Sequence, residues 1–183
     1  MDHLSDNTLM LKVKAGDLDK MGLLFERYHR SLYGFLFHMT NQKEASEDMV
    51  QNVFYRMLKY RNSFSGDGAF RTWMYHLARN VLKDYVKSNN RSAFQYDLKE
   101  IEERISGGST ADQLLEKEQE LQALETALAG LSAENKELLV LSRYQELSYQ
   151  EIAQILDTTE GAIKVRVHRA MNQLKSIYLK INV

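Results

Sequence analysis

Between Phe70 and Tyr85 the apolar residues fall three and four positions apart without a break: Phe70, Trp73, Met74, Leu77, Ala78, Val81, Leu82 and Tyr85. That spacing gathers them on one face of an α-helix. The opposite side carries Arg71, Tyr75, Arg79, Asn80, Lys83 and Lys87. The register places Trp73 in the core. The same pattern at Leu24, Tyr28, Leu32, Phe35, Leu36 and Met39 predicts a helix from Leu23 to Met39. Another follows Asn41, a candidate N-cap with Glu44 as its third-position partner, and buries Ala45, Met49, Val50, Val53, Phe54, Met57 and Leu58. Proline is absent and glycine numbers only 9, too few turn formers for a continuous β architecture. With a shorter helix near Thr8 to Ala15, these segments make a first bundle over residues 1–92. The expected fold class is all-α, with two small helical domains.

Residues 93–116 are the weakest-patterned stretch, acidic and containing Ser106-Gly107-Gly108-Ser109. They read as a flexible linker, partly helical at most, that lets two domains sit apart on one extended partner. The second domain, residues 117–183, carries Leu121, Leu124, Ala127, Leu128 and Leu131, then a helix capped by Ser132. Ser148 with Glu151 forms a capping box for a short helix, Tyr149 to Leu156. Asp157-Thr158-Thr159 turns tightly into a last helix from Glu160 to about Leu179.

A short helix, a tight turn and a longer basic helix follow the helix-turn-helix plan. Ala153 is small where the helices must approach, and Ile163 and Val167 pin the second helix inward. Lys164, Arg166, His168 and Arg169 face outward. Arginine bonds guanine bidentately in the major groove, and lysine meets guanine or phosphate. Amides around Thr159, Glu160 and Gly161 can hold a phosphate, while the Glu160 carboxylate suits a cytosine amino group. A helical hairpin with a merely solvated basic face would look the same at this level.

The net charge of −1 gives no overall nucleic-acid signature. Its distribution does. From Arg56 to Arg91 eight basic residues face only Asp67 and Asp84, the stretch from Asp97 to Glu134 is acidic, and the chain turns basic again after Glu160. With no cysteine, disulfides and thiolate metal sites are excluded, in keeping with a reducing compartment. The five histidines show no ligand spacing, so no metal and no cofactor is expected. Met1 to Leu11 lacks a signal-peptide core and no apolar run nears a membrane span. The expectation is a cytoplasmic protein without membrane insertion. Glu47 with Asp48, and His76 with Asp84, lack a nucleophile, a phosphate loop or a metal constellation beside them, so no catalytic residue and no small-molecule substrate is expected.

Three stretches together resemble one family. EASEDMVQNVFYRML (Glu44 to Leu58), FRTWMYHLARNVLKDYVK (Phe70 to Lys87) and LSYQEIAQILDTTEGAIKVRVHRAMNQLK (Leu147 to Lys175) are similar, in order and spacing, to the extracytoplasmic-function (ECF) sigma factors of bacterial RNA polymerase. The likeness runs from about Leu23 to Leu179, apart from the linker. Ala162, Val165 and Lys87 depart from the usual Thr, Ser and Arg; Val165 can either meet a thymine methyl group or leave a phosphate contact unmade.

The resemblance implies a sigma region 2 bundle, a region 4 helix-turn-helix, and a chain that binds core polymerase and directs promoter-specific initiation. Asp48, Gln51, Asn52 and Tyr55 would then dock on the β′ coiled coil. Asn62, Ser63, Phe64 and Ser65 would line a pocket for an unstacked −10 base, and Arg71, Tyr75, Arg79, Asn80 and Lys83 would hold the single strand. Thr159, Glu160, Gly161, Lys164, Val165, Arg166, His168 and Arg169 would read double-stranded −35 DNA. A contact with the β flap, by residues the sequence does not identify, and a separate anti-sigma factor are also implied. Two other readings stay open: a two-domain helix-turn-helix regulator acting without polymerase, and a helical adaptor that binds only protein.

Overall fold

The computed structural model describes residues 4–89 and 111–181, with side chains from residue 119 onward in the second segment. Among the described residues there are helices and no strand, as expected. The first bundle comprises α1 (Asp6–Lys14), α2 (Lys20–Thr40), α3 (Lys43–Lys59) and α4 (Phe70–Asn89). The second comprises α5 (Ala111–Ala129), α6 (Ala133–Leu139), α7 (Tyr149–Ile155) and α8 (Glu160–Ile181). Helix α5 begins inside the segment expected as linker, so residues 111–116 are helical; residues 93–110 lie outside the described residues.

The first core is built from the anticipated stripes. Leu24, Leu32, Phe35 and Leu36 of α2 meet Val50, Val53 and Met57 of α3 and Met74, Ala78 and Val81 of α4, all buried. Helix α1 closes one side with Leu9, Met10 and Val13, each fully buried. Its N-cap is Ser5, whose hydroxyl accepts from the Thr8 amide.

Two expectations in this bundle are corrected. Asn41 does not cap α3. It ends α2 in the left-handed region at φ 55°, and the N-cap of α3 is Gln42. Only two residues separate the helices, so the chain must reverse at once. Asparagine is the non-glycine residue that best tolerates that conformation. Tyr75, assigned to the polar face of α4, is fully buried. Its ring packs edge-on against Phe35 with centroids 5.5 Å apart.

The second bundle follows its local signals closely. Ser132 accepts from the Asn135 amide. Ser148 and Glu151 form the full capping box, each side chain satisfying the other's backbone amide, a motif whose cap alone contributes about 1 kcal/mol. Between α6 and α7 runs a π-type turn, Val140–Tyr144, ending at the buried Gln145. Ile163, Val167 and Ala170 seat α8 against its neighbours, and Ala153 is buried where α7 meets α8.

The two bundles do not stand apart. Helix α4 packs on α7, and α2 packs on α6 and the π-type turn. The buried apolar residues of both form one continuous cluster.

Candidate nucleic-acid interface

After α3 the chain makes a 3-10 turn, Arg61–Ser63, and then a loop to Ala69. A cavity of about 150 Å³ opens here. Hydroxyls of Ser63, Ser65 and Thr72 line it, with the rings of Phe64, Trp73 and His76. Phe64 is buried and lies 5.3 Å from Trp73, ring centre to ring centre. Trp73 is half-buried, joins the edge of the core and donates its indole N–H to the Ser63 hydroxyl at 3.4 Å. It therefore belongs to both core and cavity. Asn62, expected in the pocket, is exposed and outside the lining, whereas Thr72, Trp73 and His76 join it without being expected there.

The loop is pinned from α1. The Asn7 amide group donates to the carbonyls of Gly66 at 3.3 Å and Gly68 at 2.9 Å, and its oxygen accepts from the Phe70 amide at 2.8 Å. The Lys14 ammonium donates to the Phe64 carbonyl at 2.6 Å. Gly66 sits at φ 85°, and a β-carbon there would lie 3.2 Å from the Leu11 side chain. Sequence reasoning misses Asn7 and Lys14 because their partners lie 50 to 63 residues away in the chain.

Along α4, Asn80 and Lys83 are exposed. Arg71, Tyr75 and Arg79 are instead engaged by the second bundle. The Arg79 guanidinium donates to both oxygens of Glu137, at 2.6 and 3.2 Å, and to the Ile155 carbonyl at 2.9 Å. Arg71 donates to the Gln145 carbonyl at 2.7 Å and lies 4.0 Å from Glu151. The side-chain oxygen of Gln145 accepts from Ser31 at 2.6 Å and from the Tyr75 hydroxyl at 2.8 Å. Burial pushes that phenol up to about 12, so it remains a donor at neutral pH.

Beside this network, His38 of α2 packs on Tyr144 with ring centres 4.1 Å apart. Burial, with the Lys136 charge, holds His38 below its ordinary 6.5, while Glu125 opposes the shift. Burial likewise lowers Lys136. Unfolded chain binds more protons than folded chain once the pH drops below about 6.5, so stability is present above that pH and falls below it. Thermal melting from about pH 7.5 down to about 5.5 should show this decline, and His38→Gln should flatten its upper part.

On α3, Asp48, Gln51, Asn52 and Tyr55 share an exposed face, Tyr55 at 61%. Asn52 accepts from Arg56, which also pairs with Asp84 at 2.7 Å. At the far end of the chain, Thr159 caps α8 by accepting from the Ala162 amide. Thr159, Glu160, Gly161, Lys164, Val165, His168 and Arg169 are all exposed on its first three turns. Arg166 is half-buried, 3.8 Å from Glu134, and His168 bonds Asn172 at 3.1 Å. Between α5 and α8 lies an apolar groove of about 650 Å³ formed by Leu121, Leu124, Met171, Leu174 and Tyr178.

Two family models match this chain: Sigma-70 region 2 over residues 24–92, and Sigma-70, region 4 over residues 121–174. The ECF RNA polymerase sigma-E factor of Escherichia coli (strain K12) is 30% identical over 176 residues, covering 92% of each chain. The chain belongs to the ECF sigma factors. A second relative, RNA polymerase sigma factor YlaC of Bacillus subtilis (strain 168), is 28% identical across 86% of this sigma factor and 91% of its own length. The fold is shared with CnrH, solved in complex with the cytosolic domain of CnrY, at TM-score 0.73 and 21% identity over 97% of this chain and 99% of that one. It is shared too with the sigma factor RpoE of Bartonella quintana, solved with the anti-sigma factor NepR, at TM-score 0.69 and 22% identity over 88% and 98%.

In this sigma factor the loop cavity and α4 lie within the region 2 match, and α7 with most of α8 within the region 4 match. Among the described residues no helix is long and apolar enough to cross a membrane, and no cluster of side chains could hold a metal ion.

Proposed function

We propose that this sigma factor works in the cytoplasm, docks on core polymerase through α3, opens −10 DNA with the loop cavity and α4, and reads the −35 duplex with α8. The observation that carries this reading is the loop cavity itself. A hydroxyl- and aromatic-lined recess suits an unstacked base, and it sits at the head of a helix whose open side is basic. Residues 1–92 and 117–183 then act as the two functional domains. Asp48, Gln51, Asn52 and Tyr55 offer polar groups and an exposed ring to the β′ coiled coil. The groove between α5 and α8 suits an apolar flap tip. An anti-sigma partner is supported by the complex of the Bartonella sigma factor RpoE with the anti-sigma factor NepR.

Capture of core polymerase, followed by promoter-dependent run-off transcription, tests the whole reading. A regulator acting without polymerase would bind promoter duplex but fail that capture. The α8 assignment has its own test. Replacing Lys164, Arg166 and Arg169 together with alanine should abolish −35-dependent transcription while core capture persists. Duplex affinity should also become less salt-dependent, by about 0.9 in the log–log slope for each phosphate no longer neutralised. Unchanged DNA affinity would support the protein-only adaptor instead.

A further inference from the structure

Asn7, Leu11 and Lys14 fall four and three positions apart in α1 and so share one face of that helix. All three meet the loop that bears the cavity. Lys14 donates to the Phe64 carbonyl at 2.6 Å, and Asn7 donates to the carbonyls of Gly66 and Gly68 at 3.3 and 2.9 Å. Alternate residues of the loop thus turn their carbonyls to α1. At the middle one, Gly66, a side chain would crowd Leu11. The Asn7 oxygen also accepts from Phe70, whose amide opens α4 and has no partner within that helix. Helix α1 is itself fixed from two sides. Leu9, Met10 and Val13 lie in the core, and Asp6 pairs with Arg27 at 2.6 Å and accepts from the Tyr28 hydroxyl.

We propose that Asn7 and Lys14 are positioning residues for −10 recognition, holding the loop in the shape that captures an unstacked base before any DNA arrives. The inference rests on the base-pocket reading of the cavity. One wall of that cavity is the loop, through Ser63, Phe64, Ser65, Gly68 and Ala69, and the other is α4, through Thr72, Trp73 and His76. The α4 wall is fixed by a helix whose other side is packed into the core. The loop wall has less to hold it. Within residues 65–68 the Asp67 amide reaches the Ser65 hydroxyl at 3.2 Å, and the longer-range bonds run to α1. Two glycines there give the free chain many conformations to choose from. A loop left in that state would have to be ordered at the moment of capture, which weakens binding. The bonds from Asn7 and Lys14 order it when the bundle folds, so capture needs no further ordering.

Trp73 is the chain's single tryptophan and faces the cavity, so its fluorescence reports the loop wall without any label. Asn7→Asp keeps the oxygen that accepts from Phe70 and removes both donations to the loop. Lys14→Met keeps an apolar stem and removes the third, and Lys14→Arg restores a donor. Asn7→Asp and Lys14→Met should each leave Trp73 more open to acrylamide quenching, while circular dichroism stays helical. In holoenzyme, transcription from a promoter pool randomised over the −10 element should show the preference for the captured base reduced about tenfold, as when one molecule in ten holds the pocket ready. Preference in a pool randomised over the −35 element should be unchanged, and Lys14→Arg should match the wild type in both pools. A role confined to stability would lower both preferences together. Unchanged quenching and unchanged −10 preference in both variants would overturn the positioning role. If quenching rises while the −10 preference survives, Ser65→Ala separates the causes. A flattened preference in Ser65→Ala would then overturn the positioning role alone, and a preserved one would overturn the base-pocket reading with it.

Discussion

Asp48→Arg is expected to abolish capture of core polymerase, and with it promoter-dependent transcription, while the protein melts at an unchanged temperature. Asp48 is exposed in the first half of α3, between the buried Met49 and Val50 on one side and the outward Gln51 and Tyr55 on the other. It forms no part of the core, and arginine is the better helix former, so the fold has no reason to weaken. At a docked helix–helix face the carboxylate is replaced by a larger side chain of opposite charge. Reversing a complementary charge costs several kcal/mol, and each 1.4 kcal/mol is tenfold in affinity, so a fall on the order of a hundredfold or more is expected. Pull-down with purified core enzyme, beside a melting curve, measures both quantities. Retained capture with unchanged affinity would move the polymerase contact off this face.

Phe35→Ala should strongly destabilise region 2. The ring is fully buried on α2 and meets Tyr75 of α4 edge-on. Emptying its site removes transfer energy and leaves a cavity that the neighbouring helices can only partly close, which costs about 3–5 kcal/mol. Domains of this size hold about 5–15 kcal/mol in total, so the midpoint of urea unfolding should fall sharply. The effect reaches further than the core, because Tyr75 is also the donor to Gln145 across the domain boundary. Leu18→Ala, at a position 50% exposed, should shift stability by no more than about 0.5 kcal/mol. Equal shifts in the two variants would show that the α2–α4 packing is not what holds region 2 together.

The elements of the site are legible in unequal measure. The exposed faces of α3 and α8 are where periodicity puts them, since both helices bury one stripe and leave the rest to solvent. The loop is recognisable by its Ser, Gly and Asp content, and Ser63, Phe64 and Ser65 do line its cavity. Thr72 and His76 escape sequence reasoning because they face the cavity from the following helix, and helical register says which side a residue is on without saying what lies opposite. Trp73 is core by its register and proves to serve core and cavity together. Its ring is wide enough to span both.

Local sequence suffices for most of what depends on neighbours within a turn or two, although Asn41 ends α2 where its spacing from Glu44 suggests a cap for α3. The apolar stripes, the Ser132 cap, the Ser148–Glu151 capping box, and the short-helix, turn, basic-helix order at the C-terminal end all follow from residues three or four apart. Which polar faces become covered is settled only when the chain has folded. Ser31 reaches Gln145 across 114 residues of chain, and Asn7 reaches Phe70 across 63. No local pattern encodes such meetings. The polar side of α4 reads as solvent-facing because an amphipathic stripe shows only that one face must be buried. A second domain carrying Glu137 and Gln145 buries part of the other face as well. It can do so because Arg71, Tyr75 and Arg79 each find a hydrogen-bond partner there.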